Sequence, residues 1–118
     1  MEYRTLIYEV RNNVAHITLN RPAGANAMDI EMSRELMLAS IECDESKEVR
    51  AVLVTGAGKM FSAGGDLQSF AASRERIRHL VKEMTVYLHG AISRFARMDP
   101  PVVMAVNGTA AGAGMSLA

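Results

Sequence analysis

Residues 52–67 read Val-Leu-Val-Thr-Gly-Ala-Gly-Lys-Met-Phe-Ser-Ala-Gly-Gly-Asp-Leu, a short apolar run that empties into a loop holding four of the chain's nine glycines. The aliphatic and β-branched residues from Ala51 to Val54 predict a buried strand, with the loop beginning where the strand stops. Bare backbone is thereby set at the C-terminal end of a strand. Glycine lets the main chain approach a ligand closely and adopt positive φ, so Ala63-Gly64-Gly65-Asp66 can present N–H groups that no side chain shields. An amide aimed at a carbonyl oxygen is half of an oxyanion hole, where one donor is worth roughly 2.7–4 kcal/mol in the transition state. An ordinary glycine-rich turn has the same composition, and this loop alone leaves both readings open.

Upstream, Leu6 to Val10 and Val14 to Leu19 are two β-like runs separated by Arg11-Asn12-Asn13, which predicts a hairpin because asparagine tolerates the left-handed region. His16 falls inside the second strand as a structural or solvent-facing residue. Asn20-Arg21-Pro22 ends that strand, and Ala23-Gly24-Ala25-Asn26-Ala27 is a small-residue loop. The loop leads into a helix that Asp29 can cap, with Glu31 suiting the dipole of its first turn. Met32, Leu36 and Ala39, joined by Met37 and Ile41, give this helix its apolar face.

Downstream, a longer helix is predicted from Ser73 to Met98, with Ile77, Leu80, Val81, Met84, Leu88, Ile92 and Phe95 forming one core-facing stripe. His79 and His89 flank it. Asp99-Pro100-Pro101 stops the helix, because proline lacks the N–H and biases its predecessor away from the helical region. Val102 to Val106 is a second apolar strand, running into the small-residue loop Asn107 to Gly114, and Met115 to Ala118 begins another helix. Three strands, each followed by a loop and a helix, predict right-handed crossovers and parallel pairing. The three loops then meet at one edge of the sheet, where open α/β sheets place their ligands.

The chain has 118 residues, 49% of them apolar and 22% charged, enough for one domain with one core. Thirteen basic residues balance thirteen acidic ones, so no global field recruits nucleic acid or an anionic membrane. No stretch approaches a membrane-spanning length, and charged residues interrupt the first twenty positions where a signal peptide would be apolar. The single cysteine, Cys43, cannot form an intrachain disulfide, and no Cys/His cluster has metal-ligand spacing. A soluble protein of the reducing cytoplasm, with no metal, is expected. Nine methionines fill an adaptable core or border an elongated apolar ligand.

Two nucleotide sites fail on spacing. Lys59 follows Gly58 but precedes Met60, so there is no P-loop. Gly56-x-Gly58 reaches Phe61, and Gly112-x-Gly114 reaches Leu117, so neither completes a dinucleotide fingerprint. What remains is two glycine loops on neighbouring strands, the second opening a helix whose free N–H groups favour negative charge. One amide from each could point at a single oxygen, the geometry for holding an enolate.

Leu19-Asn20-Arg21-Pro22 with Asn26-Ala27-Met28, then Phe61 to Leu67, then Pro101 to Gly108 with Ala111-Gly112-Ala113-Gly114, resemble the crotonase (enoyl-CoA hydratase/isomerase) superfamily. The three motifs occur in the right order and spacing and cover nearly the whole chain. The resemblance implies an α/β fold, the crotonase-like (ClpP/crotonase) spiral of ββα units, with residues 1–118 forming its N-terminal part. It implies that the oxyanion hole is made by the amides of Gly65 and Ala113. Ala23, Gly24 and Ala25, with Ala63, Gly64, Gly65, Asp66 and Leu67, match segments whose backbone lines coenzyme A, which enters as part of the substrate; no covalently bound cofactor is implied. Family members often carry a basic residue where Ala23 stands. Arg21 and Asp66 match structural positions.

The resemblance departs from hydratases at Ser116, the position of the first of their two catalytic glutamates. Serine cannot hold a carboxylate's role at neutral pH. The Ala-Ala-Gly-Ala-Gly run looks more like the branch of ring-opened or epoxyphenylacetyl-CoA isomerases and Δ3,Δ2-enoyl-CoA isomerases, which move a proton with one carboxylate further along the chain. Family members are roughly twice this length, so the expected remainder carries that acid, part of the acyl pocket and the helices of a homotrimer or dimer of trimers. Isomerisation of an enoyl-CoA in fatty acid metabolism is thus expected ahead of hydration, a lyase reaction. A CoA-thioester binding module without a catalytic acid, or an inactive half-domain, is the alternative, and thioester hydrolysis is a third.

Overall fold

The computed structural model describes residues 2–72 and 74–118. Strands β1 (Leu6–Arg11) and β2 (Val14–Leu19) form the expected antiparallel hairpin, with Asn12 and Asn13 both at positive φ (51° and 65°) in the two-residue turn. Helix α1 (Ile30–Glu45) starts where Asp29 accepts a hydrogen bond from the Met32 amide at 2.8 Å, and Glu31 lies in its first turn. Then follow β3 (Ala51–Gly56), α2 (Leu67–Ala72), a 3-10 turn at Arg74–Arg76, α3 (Ile77–Arg97), β4 (Val102–Ala105) and α4 (Ala113–Leu117).

The four strands lie in the order β1-β2-β3-β4, with β2, β3 and β4 parallel as the crossovers predict. Burial alternates along β2 and β3, so one sheet face is closed and the other half-open. Ala15, Ile17, Leu19, Val52 and Val54 join Met32, Leu36 and Ala39 of α1 and Leu88, Ala91 and Phe95 of α3 in one core. Cys43 is part of it, its Sγ 3.8 Å from the Tyr8 hydroxyl. Burial, helped by the nearby Glu42 charge and only partly offset by Tyr8, pushes this thiol up to about 11. Among the described residues no helix is long and apolar enough to cross a membrane.

Three details differ from the sequence reading. The helix predicted over Ser73–Met98 runs as α3 behind the 3-10 turn at Arg74–Arg76, Ser73 lying outside the described residues, and an unpredicted helix precedes it: α2 begins at Leu67 because Asp66 Oδ1 accepts from the amides of Gln68 (3.1 Å) and Ser69 (3.3 Å). The α3 stripe reaches the core only from Met84 onward; Ile77 and Val81 remain 39% and 36% exposed. Strand β4 stops at Ala105 and leaves Val103 57% exposed on the open sheet face. His79 pairs with Glu83 on the surface at 3.1 Å, and His89 is exposed, both flanking residues as expected.

Candidate active site

The loops leaving β2, β3 and β4 meet at one sheet edge, stitched together by residues distant in sequence. Asn26, fully buried at φ 51°, is the first stitch. Its Oδ1 accepts from the Arg21 amide (2.8 Å), while its Nδ2 donates to the carbonyls of Ala57 (2.9 Å) and Met60 (3.0 Å). Ser62 Oγ donates to the Asn26 carbonyl (2.8 Å) and accepts from the Gly64 amide (3.2 Å). Asn107 Oδ1 accepts from the Gly56 amide (3.0 Å), and its Nδ2 donates to the Gly58 carbonyl (3.1 Å). Sequence reading names these three polar residues only as members of motifs. No local signal sets them apart from ordinary turn residues, because most of the backbone groups they satisfy lie 31 to 51 residues away.

The two glycine loops touch directly. The Ser62 amide donates to the Thr109 carbonyl (3.2 Å), and the Ala111 amide donates to the Ser62 carbonyl (3.0 Å). Gly64 has φ +100°, and a Cβ there would lie 2.8 Å from the Ala111 carbonyl oxygen and 3.5 Å from the Ala113 nitrogen. Only glycine satisfies both the conformation and the approach.

Peptide planarity fixes where the two candidate amides point. The Gly64 carbonyl accepts from the Met28 amide at 2.6 Å; in a trans peptide the Gly65 N–H therefore points the opposite way, away from Met28. The Gly112 carbonyl accepts from the Ser116 amide at 3.1 Å, along α4, so the Ala113 N–H points out of the helix start. Neither amide has an acceptor among the described residues.

The remaining predicted positions lie beside them. Pro22–Gly24 forms a 3-10 turn with Ala23 and Gly24 exposed, and Ala25 closes it at φ 55°. The Ala63 amide donates to the Ala25 carbonyl at 3.0 Å, which joins the two predicted coenzyme segments into one surface. Leu67 is 76% exposed at the start of α2, and Gly65 packs against the Phe70 ring, which a Cβ would meet at 3.0 Å. Asp66 is buried and paired with Arg21 at 3.2 Å. Burial works to raise its carboxyl, but hydrogen bonds from Ser69 and the Arg21 guanidinium outweigh that and hold it below the usual carboxylate range. Ser116 Oγ is exposed and turns back to the Gly112 carbonyl at 3.4 Å.

Two amides without acceptors among the described residues thus lie on abutting loops that leave parallel strands, and the chain belongs to the enoyl-CoA hydratase/isomerase family, whose sequence profile matches residues 9–118. Its fold is the N-terminal part of the crotonase-like α/β spiral. It is 36% identical over 117 residues to the probable enoyl-CoA hydratase EchA14 of Mycobacterium tuberculosis, covering 99% of this chain and 44% of that protein. It is 33% identical to a Streptococcus mutans trans-2-decenoyl-[acyl-carrier-protein] isomerase, covering 100% of this chain and 45% of that one. The solved structure of Pseudomonas aeruginosa PA4980 superposes with a TM-score of 0.89 at 38% identity, over 97% of this chain and 48% of that chain. The chain thus spans less than half the length of the relatives it matches.

Proposed function

We propose that the protein acts on acyl-CoA thioesters, holding the enolate oxygen between the amides of Gly65 and Ala113 and shifting an enoyl double bond. The observation that carries the reading is the pair of amides without acceptors among the described residues, set on two loops that abut at Gly64. As an α-proton leaves, negative charge grows on the thioester oxygen, and preorganised donors stabilise that charge more than the neutral carbonyl. The surface joining Ala23–Ala25 to Ala63–Leu67, exposed at Ala23, Gly24, Ala63 and Leu67, offers the coenzyme a place beside the amides. The proton is moved by a carboxylate outside residues 1–118, in a homotrimer or dimer of trimers in the cytoplasm.

Isomerisation is preferred over hydration because Ser116, three residues beyond Ala113, supplies no carboxylate to activate water. The name of the Streptococcus mutans relative supports an isomerase and that of EchA14 a hydratase. Incubating the complete protein with 3-enoyl-CoA and, separately, with 2-enoyl-CoA in deuterated water tests the choice. Conjugation of the 3-enoyl substrate without formation of a 3-hydroxyacyl product is expected; rapid hydration of the 2-enoyl substrate would reverse the preference. Ser116 also favours a second reading, a thioester-binding module without proton transfer. Binding with no α-proton exchange and no turnover would select it.

A further inference from the structure

Gly65 has no side chain by which its amide could be aimed, so its direction is set by its neighbours. The peptide before it is fixed by the Met28 amide on the Gly64 carbonyl (2.6 Å), and the one after it by the Asp66 amide on the Met28 carbonyl (2.9 Å). Met28 itself is held from both sides by one side chain. Arg21 Nη1 donates to the carbonyl of Ala27 (2.5 Å) and lies 3.5 Å from the Asp29 carboxylate, while Nη2 reaches Asp66 Oδ2 at 3.2 Å. One guanidinium therefore grips the residues on either side of Met28 and the residue after Gly65.

The grip is shielded and shared with the coenzyme-facing turn. The Arg21 side chain is 28% exposed, and its two carboxylate partners are 22% and 12% exposed. A Cβ on Gly24 would touch the guanidinium at 3.7 Å. The other Asp66 oxygen caps α2, so the carboxylate is anchored at both ends. A planar fork suits three acceptors in different directions; an ammonium on a flexible stem does not.

We propose that Arg21, acting through Asp66 and the Ala27–Asp29 segment, is the positioning residue that aims the Gly65 amide at the thioester oxygen. The proposal rests on the oxyanion-hole reading and extends it to a side chain that does not touch the substrate. It differs from a purely structural role in its readout, because misdirecting the amide weakens carbonyl polarisation while the chain stays folded.

The test binds butanoyl-CoA, carrying carbon-13 at its carbonyl, to the complete protein and reads the carbonyl stretch by infrared difference spectroscopy, beside kcat, KM and the melting midpoint. Arg21→Lys keeps the charge, and Asp66→Asn keeps the cap acceptor but loses the ion pair. Wild type is expected to move the band to lower frequency than free thioester. Both variants are expected to lose most of that shift and about tenfold to a hundredfold in kcat, with KM within about twofold. A melting midpoint lowered with the shift and kcat retained would overturn the proposal. An unshifted band in wild type would instead overturn the amide reading itself, and the proposal with it. Should Arg21→Lys fail to fold, Asp66→Asn carries the same decision.

Discussion

The two glycine loops offer one amide each but hold it by different means. In the second, the Ala113 amide is aimed locally: the Gly112 carbonyl joins the helix it opens, through the Ser116 amide four residues on. In the first, the Gly65 amide is aimed from a distance, by Met28, Arg21 and Asp66, across separations of up to 45 residues. A helix start orients its own donors, whereas an irregular loop needs partners from elsewhere in the chain. The first loop should therefore be the more sensitive to remote substitution.

The largest expected effect tests whether that loop supplies a donor at all. Gly65→Pro removes an N–H that has no acceptor among the described residues, so steady-state kinetics should show turnover reduced about 10²–10³-fold while the fold survives with Phe70 displaced. Intact turnover would remove the first loop from the chemistry. Asn26→Ala, which strips three hydrogen bonds from a buried site, should cost about 3 kcal/mol in denaturant unfolding. Gly64→Ala forces a Cβ against the Ala111 carbonyl at positive φ and should cost about 2 kcal/mol, parting the two loops.

A smaller effect follows from Asp66. Its carboxyl is held below the usual range in the fold, so its contribution is present above about 3.9, the ordinary carboxylate value, and is lost as pH falls through the lower folded value. An acid titration of the melting midpoint should show that loss in wild type, and a shallower fall in Asp66→Asn. The smallest change belongs to the second loop: Ser116→Ala removes only a 3.4 Å contact from an exposed hydroxyl and should alter stability by under about 0.5 kcal/mol, with turnover unchanged. A large loss of turnover there would give Ser116 the proton-handling role denied to it here.

The contrast also separates what was legible in the sequence. Periodicity and turn chemistry reveal the hairpin at Asn12-Asn13, the Asp29 cap and the parallel strands, because each depends on residues near one another in the chain. The glycines mark where the backbones of the two loops come close, and the family resemblance is what proposes Gly65 and Ala113 as donors. The scaffold behind the first amide was not legible: Asn26, Ser62 and Asn107 act on groups 31 to 51 residues away, and nothing local distinguishes them from ordinary turn residues. Helix α2 was missed for a related reason. Asp66 read as part of a glycine loop, yet its carboxylate starts a helix of its own.

The most direct measurement is a crystal structure of the complete protein with a saturated acyl-CoA bound. The account predicts the thioester oxygen about 2.7–3.1 Å from both the Gly65 and the Ala113 nitrogen, with the coenzyme lying along Ala23–Ala25. A thioester bound with its oxygen turned to solvent, or held by side chains while both amides remain empty, would contradict it.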